Sequence, residues 1–126
     1  MHRSRLGGFI IDCNTDDLEP AAAFWGAALG MPVRRLPGAE GERYARLEDP
    51  LGRLHVEVQK VEHPSRVHLD IESDDVEAEV RRLEALGARR VRQVGDWWVL
   101  EAPTGQRFCV VRAESARFAS EAREWR

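Results

Sequence analysis

A repeated pentapeptide is the feature of this sequence that most restricts its fold. Residues 15–19, Thr-Asp-Asp-Leu-Glu, reappear 58 positions later as residues 73–77, Ser-Asp-Asp-Val-Glu. Each copy follows a short apolar run of the kind that forms a strand, with Asp12 in the first run and Asp70 at the same place in the second. Because self-similarity at a fixed distance indicates duplicated supersecondary units, the chain is predicted to consist of two tandem modules.

Each pentapeptide is predicted to begin a helix. In both copies an aspartate lies three residues before a glutamate, at Asp16 and at Asp74, and this spacing lets the side chains cap the free amides of a first helical turn. Apolar residues at helical spacing follow. Gly30 and Gly87 are predicted to end the two helices, since glycine adopts the left-handed conformation with little strain.

Three short strands are predicted after each helix, at about residues 33–36, 44–48 and 54–59 and again at 89–93, 97–101 and 107–112. Proline and glycine mark the last turn in both copies, at Pro50 with Gly52 and at Pro103 with Gly105. The predicted fold class is therefore α+β, built from two tandem β-α-β-β-β modules.

The module boundaries follow from these elements. Module one is predicted at about residues 7–60, an exposed linker at 61–66, module two at 67–112 and a helical tail at 113–126, all within a single domain. The tail is predicted to be helical because Phe118, Ala122 and Trp125 would share one helical face.

Composition narrows the function classes. The chain has 126 residues, of which 43% are hydrophobic and 33% charged, as in ordinary globular proteins. Its longest mostly apolar stretch, residues 21–33, is shorter than the roughly 20 residues of a membrane span. The first residues do not have the pattern of a secretory signal, so a cytoplasmic protein is expected. The net charge of −3 is spread along the chain without a basic stripe, which argues against nucleic acid as a partner.

The ordered motifs resemble the vicinal oxygen chelate superfamily, in its glyoxalase-like branch. The resemblance rests on the Asp-started helix that ends in Leu29-Gly30, the Pro-x-Gly hairpins, the run Arg-Val-His-Leu-Asp at residues 66–70 and the second Leu86-Gly87, and it covers roughly residues 7–112. It implies a curled mixed sheet around a cup with the helices outside, and a homodimer. A ferredoxin-like or dimeric α+β barrel domain is the alternative, but it has two strands between its helices where this sequence offers three.

The resemblance also implies where a metal would bind. Metal-using members take ligands from the first and last strands of each module. The repeat alignment places Ile10 and His68 at the first-strand positions, and counting four residues from the turn glycines places Val56 and Cys109 at the last-strand positions. Only His68 suits the hard or borderline divalent ions of those enzymes, so no functional metal and no other cofactor are predicted. A one-residue bulge that turned His55 or Glu57 inward would provide an alternative ligand.

Several polar residues are candidates for contacts with a small organic ligand in the cup. His68 beside Asp70 is the first, and the alternative is a histidine that only hydrogen-bonds the aspartate or water. His55 and Glu57 are further candidates, although alternating polar residues on a strand are also typical of a sheet face in contact with water.

Aromatic residues supply the other candidates. Trp97 and Trp98 are adjacent on a predicted strand and must point to opposite faces, so one of them is predicted to line the cup. Tyr44, aligned with Trp97 by an offset of 53 residues, is predicted to form the opposite wall. Two large residues that fill a core or a dimer seam are the alternative interpretation.

Three function classes remain. The first is a metal-free protein that binds an organic ligand in the cup. The second is a metal-dependent lyase, isomerase or dioxygenase in which a divalent ion chelates two neighbouring substrate oxygens. The third is a purely structural or regulatory interaction domain.

Overall fold

A computed structural model describes residues 1–126. Its strands are β1 (His2–Asn14), β2 (Val33–Arg35), β3 (Tyr44–Leu47), β4 (His55–Val61), β5 (Arg66–Ser73), β6 (Arg89–Val94), β7 (Trp97–Glu101), β8 (Arg107–Arg112) and β9 (Arg123–Trp125). Its helices are α1 (Leu18–Leu29), α2 (Glu40–Arg43), α3 (Val76–Ala85) and α4 (Phe118–Glu121). The chain forms two compact units, Gly8–Val67 and Met1–Gly7 together with His68–Arg126. None of the helices is long and apolar enough to cross a lipid bilayer.

The unit Gly8–Val67 is a four-stranded mixed sheet with α1 on one face. The strand order is β2-β3-β4-β1, in which β4 runs parallel to β1 and the other neighbours are antiparallel. Alternate strand residues point toward α1 and form a buried core with it. That core consists of Ile11, Leu18, Ala22, Ala45, Leu47, Val56 and Val58. The opposite face of the sheet presents mainly polar residues of β3 and β4, beside the buried Ile10 of β1.

The second unit has the same arrangement of sheet and helix. Its strand order is β6-β7-β8-β5, with β5 parallel to β8 and the other neighbours antiparallel. Helix α3 packs on one face, where Val80, Leu100 and Val110 are fully buried. Each unit therefore presents a β-α-β-β-β order, and the predicted α+β fold class of two such modules is confirmed.

The predicted helix caps were wrong by one residue in both modules. The carboxylate of Asp17 accepts a hydrogen bond from the Glu19 amide at 3.1 Å, and Asp75 accepts one from the Ala78 amide at 3.0 Å. Both residues have extended backbone directly before the first helical residue, which is the geometry of an N-cap. Asp74 instead accepts a hydrogen bond from the Arg3 amide at 2.8 Å.

The helix ends agree with the prediction. Gly30 closes α1 with φ of 68°, and Gly87 follows α3 with φ of 110°. These are left-handed values at which a side chain would be strained.

The tail differs from the predicted helix. Only Phe118–Glu121 is helical, and Arg123–Trp125 forms β9, which pairs antiparallel with the start of β1. The indole of Trp125 donates a hydrogen bond to the Ser4 hydroxyl at 2.8 Å and lies 3.7 Å from the guanidinium carbon of Arg82. These contacts favour the extended strand over the continued helix that the spacing of apolar residues predicted.

Candidate functional site

Strands β5 and β8 bring three potential ligand side chains together on the second module. Asp70 is paired with Cys109 across the two strands, and His68 lies two residues before Asp70 on the same face. One ligand atom from each of the three residues lies within 4.8 Å of the other two. Because the neighbouring Val110 points into the core under α3, this cluster lies on the face of the sheet away from the helix.

The cluster combines an imidazole, a carboxylate and a thiol with limited contact with water. The side chains of His68 and Asp70 are 14% and 17% exposed, and His68 Nε2 lies 3.6 Å from Asp70 Oδ1. This separation is longer than a hydrogen bond, so the carboxylate acts on the imidazole through its charge. The arrangement can therefore donate hydrogen bonds to a ligand or exchange a proton with it.

The structure distinguishes the two adjacent tryptophans. Trp98 is paired with Val110 and packs into the core under α3, where the guanidinium carbon of Arg90 lies 4.8 Å from its ring centroid. Trp97 points to the other face, as does Val99, which is paired with Cys109. Trp97 is therefore the tryptophan that shares a face with the cluster, and Trp98 has a structural position.

An ion-pair group lies farther along the same face. Glu101, two residues beyond Val99 on β7, accepts hydrogen bonds from Arg89 at 2.9 Å and from Arg107 at 3.0 Å. These bonds hold the pKa of the Glu101 carboxyl below its ordinary value, Arg89 contributing most. The group remains ionised and its charge is compensated locally.

A second polar face belongs to the first module. His55 Nε2 lies 3.3 Å from Glu57 Oε1 on β4, and the amide of Gln59 donates a hydrogen bond to the Tyr44 hydroxyl at 2.9 Å. Arg46 follows Tyr44 at the alternate position of β3, directly opposite Glu57. The predicted candidates Tyr44, His55 and Glu57 thus lie on one sheet face of one module, while His68, Asp70 and Trp97 lie on the corresponding face of the other.

The residue aligned with Cys109 in the first module is not the one predicted. Val56 is fully buried in the core under α1, so its side chain cannot contact a ligand on the opposite face of the sheet. Gln59 is paired with Asp12 as Cys109 is paired with Asp70. Counting from the turn glycine therefore selected the wrong residue of β4.

Unequal hairpins explain this error. Ten residues separate the paired Arg46 and Glu57 in the first module, whereas five separate the equivalent pair, Glu101 and Arg107, in the second. Of the five extra residues, three follow the turn glycine and two precede it, so an alignment anchored at that glycine is shifted on both of its sides. Tyr44, paired with Gln59, consequently occupies the position of Val99 and not the predicted position of Trp97.

The donor atoms fit only part of a metal site of the family type. Ile10 provides no donor atom, so the first strand of the first module leaves its position unfilled. His68, Asp70 and Cys109 together offer nitrogen, oxygen and sulfur, a set suited to zinc and unlike the all-oxygen sets of magnesium. These residues could hold a borderline divalent ion through three ligands, but the four-ligand arrangement that the resemblance implies is incomplete.

Sequence reasoning missed two polar residues of the first module, Arg46 and Gln59. Both continue an alternation that the sequence displays, Arg46 two residues after Tyr44 and Gln59 two residues after Glu57. Extending the period of two along each strand identifies them once one residue of the face is known.

Comparison with known proteins agrees with this geometry. The sequence model of the glyoxalase-like domain matches residues 8–111. No curated protein matches the chain in sequence.

Solved structures show a similar fold at low identity. A methylmalonyl-CoA epimerase from Mycobacterium tuberculosis is 18% identical with a TM-score of 0.65, and the match covers 91% of each chain. A Mn(II)-bound glyoxalase from Novosphingobium aromaticivorans is 16% identical with a TM-score of 0.61, over 93% of this chain and 44% of that one. A hypothetical protein from Bacillus halodurans is 12% identical with a TM-score of 0.65, over 88% and 95%. With the family match over most of its length and its two β-α-β-β-β modules, the chain belongs to the glyoxalase-like domain family of the vicinal oxygen chelate superfamily.

Proposed function

We propose that this protein binds a small organic molecule at the cluster of His68, Asp70 and Cys109, and that it does so without the four-ligand metal site of its metal-using relatives. The observation that carries the proposal is the convergence of these three side chains within 4.8 Å on a sheet face that also presents Trp97. Binding sites of this kind combine a few convergent polar groups with an apolar or aromatic surface.

Each residue has a distinct role in the proposed complex. His68 hydrogen-bonds a polar atom of the ligand, while Asp70 places a carboxylate 3.6 Å from the imidazole, on the same face. Trp97 offers a flat indole surface against which a planar part of the ligand stacks. A methylmalonyl-CoA epimerase of similar fold has been solved with methylmalonyl-CoA, so acyl thioesters belong among the candidate ligands, beside 2-oxo acids and aromatic acids.

Replacing Trp97 with alanine is expected to weaken ligand binding about tenfold, since stacking contributes up to ~1.5 kcal/mol beyond burial. The measurement is a fluorescence titration of the purified protein with a panel of acyl thioesters, 2-oxo acids and aromatic acids. The wild-type fluorescence should change on binding, and Trp97→Ala should need about tenfold more ligand to reach half of its own fluorescence change.

Trp98→Phe is the matched control, because Trp98 packs in the core and its replacement preserves an aromatic ring there. It should bind the ligand as the wild type does. Equal binding by Trp97→Ala, or loss of binding only in Trp98→Phe, would contradict the proposed site. If the wild-type protein shows no fluorescence change with any member of the panel, the interaction-domain hypothesis would be favoured.

A metal-dependent lyase, isomerase or dioxygenase is the second candidate, and the same cluster is the observation that favours it. A divalent ion held by His68, Asp70 and Cys109 would supply a Lewis acid for two neighbouring substrate oxygens. The protein's own contribution would be to direct the imidazole of His68 toward the ion and to provide Cys109 as a thiolate ligand.

Cobalt titration separates the two candidates. If the cluster binds a metal, Co²⁺ should produce thiolate charge-transfer absorption at one ion per chain, and Cys109→Ser should abolish that absorption. Cys13→Ser is the control, since Cys13 lies outside the cluster and should leave the spectrum unchanged. Absence of the absorption in the wild type, with zinc also failing to bind, would leave the metal-free hypothesis standing alone.

The homodimer and the cytoplasmic location expected from the sequence stay predictions. Light scattering on the purified protein would determine the subunit number.

A further inference from the structure

Arg46 on the polar face of the first module is a cation that lacks an internal counter-ion. Its Nε atom is shielded from solvent and has no hydrogen-bond partner. The side chain points away from the core, because its neighbours Ala45 and Leu47 are the strand residues that pack under α1. A shielded guanidinium nitrogen without an acceptor is unfavourable, since hydrogen bonds to water have been given up without replacement.

The carboxylates near Arg46 in the sheet are engaged with other groups. Arg34 and Glu57 are its directly paired neighbours on β2 and β4. Glu57 contacts His55 at 3.3 Å, and Arg34 contacts Glu48 at 2.7 Å. The two neighbours of Arg46 thus have partners of their own, and no carboxylate of the chain compensates Arg46 within ion-pair distance.

We propose that Arg46 anchors an anion-binding site that accepts a small molecule bearing a carboxylate or phosphate group. The guanidinium presents its donors in a planar fork, and both anions accept such a fork through two parallel hydrogen bonds. The next cross-strand pair on this face is Tyr44 with Gln59, joined by a 2.9 Å hydrogen bond. That bond fixes the hydroxyl and the amide beside the proposed anion. The occupant is a small molecule, because one uncompensated arginine on a sheet face is too little charge to bind a polyanion.

This inference does not depend on the proposed function. It involves only residues of the unit Gly8–Val67, whereas the His68 cluster lies in the other unit. Failure of one proposal therefore leaves the other intact, and variants of the two faces can be tested separately.

Isothermal titration calorimetry on the full chain tests the proposal with benzoate and phenyl phosphate as the anions and benzamide as the neutral analogue. The wild type is expected to bind at least one anion, and Arg46→Gln should weaken that binding about tenfold or more, as expected for the loss of a charge-assisted hydrogen bond. Arg34→Gln is the matched control and should bind within about twofold of the wild type, because Arg34 is already paired with Glu48.

The two anions distinguish a carboxylate from a phosphate ligand, since the natural class should bind more tightly. Arg46→Lys, which keeps the charge but loses the fork, should bind with an intermediate affinity. Circular dichroism would establish that each variant is folded. Undiminished anion binding by Arg46→Gln, equal binding of benzamide, or no binding of either anion by the wild type would each overturn the proposal.

Discussion

Replacing Glu79 with alanine is expected to lower the free energy of unfolding by about 2–4 kcal/mol, because it removes a buried carboxylate that is hydrogen-bonded to two side chains. Glu79 lies on α3 with its side chain fully buried, and its carboxylate contacts His2 at 2.7 Å. Arg82 donates two hydrogen bonds to it, both at 2.8 Å. Without the carboxylate, the imidazole and the guanidinium would remain in a poorly solvated place beside a cavity.

The same network predicts acid sensitivity. Burial raises the pKa of Glu79, but the hydrogen bonds from Arg82, His2 and Ser4 lower it more, and the net pKa lies below the ordinary value of 4.5. A carboxyl whose pKa is lower in the folded state contributes stability above its unfolded pKa. That contribution is lost as the pH falls below about 4.5 through the folded value, because protonation then favours the unfolded chain.

Urea unfolding followed by circular dichroism measures both effects. Glu77→Ala is the matched control, since Glu77 lies on the same helix with an exposed side chain that pairs with Arg81 and Arg90. The control should lose no more than about 1 kcal/mol, which is typical of surface pairs. If Glu79→Ala were as stable as Glu77→Ala at neutral pH, or kept the wild-type acid sensitivity, the assigned role of the network would be wrong.

The strands and the module order could be predicted because alternation and turn chemistry are local properties of the sequence. The runs before Asp16 and Asp74 and the Pro-x-Gly turns placed the strands of the two modules within a few residues, except that β1 begins at His2, well before the apolar run that predicted it. The tail could not be predicted from local spacing. Its outcome depends on contacts between Trp125 and residues near the start of the chain, such as Ser4 at 2.8 Å.

The sequence could predict which residues of one strand share a face of the candidate site. It could not predict which residues pair with them across neighbouring strands. His68 and Asp70 were found because they occupy alternate positions after the repeat-defined strand start. The register of β4 was missed because the first module has three more residues between its turn glycine and the matching position of the last strand, which no repeat alignment anchored at the glycine reveals. Arg46 was missed because its distinguishing property, a shielded Nε without an acceptor, exists only in the folded chain.

Gly8→Ala is expected to lower the free energy of unfolding by about 3 kcal/mol or more, the range of severe overpacking. A Cβ atom at Gly8 would lie 1.7 Å from the carbonyl oxygen of His55 and 2.8 Å from its backbone nitrogen. Backbone atoms cannot rotate away as a side chain does, so β1 and β4 would have to separate. The parallel pairing that begins with Gly8 and His55 would then be lost at its first step.

Gly30→Ala separates this steric effect from the general effect of replacing a glycine. Nothing lies within 4 Å of a Cβ at Gly30, but its φ of 68° is left-handed, so alanine there should cost only about 1–2 kcal/mol through backbone strain. Chemical denaturation of both variants gives the comparison. Equal stability of the two variants would mean that β1 and β4 can move apart at Gly8 without losing their pairing. Because that register also sets Ile10 beside Glu57 and Asp12 beside Gln59, anion binding at Arg46 should weaken in Gly8→Ala and persist in Gly30→Ala.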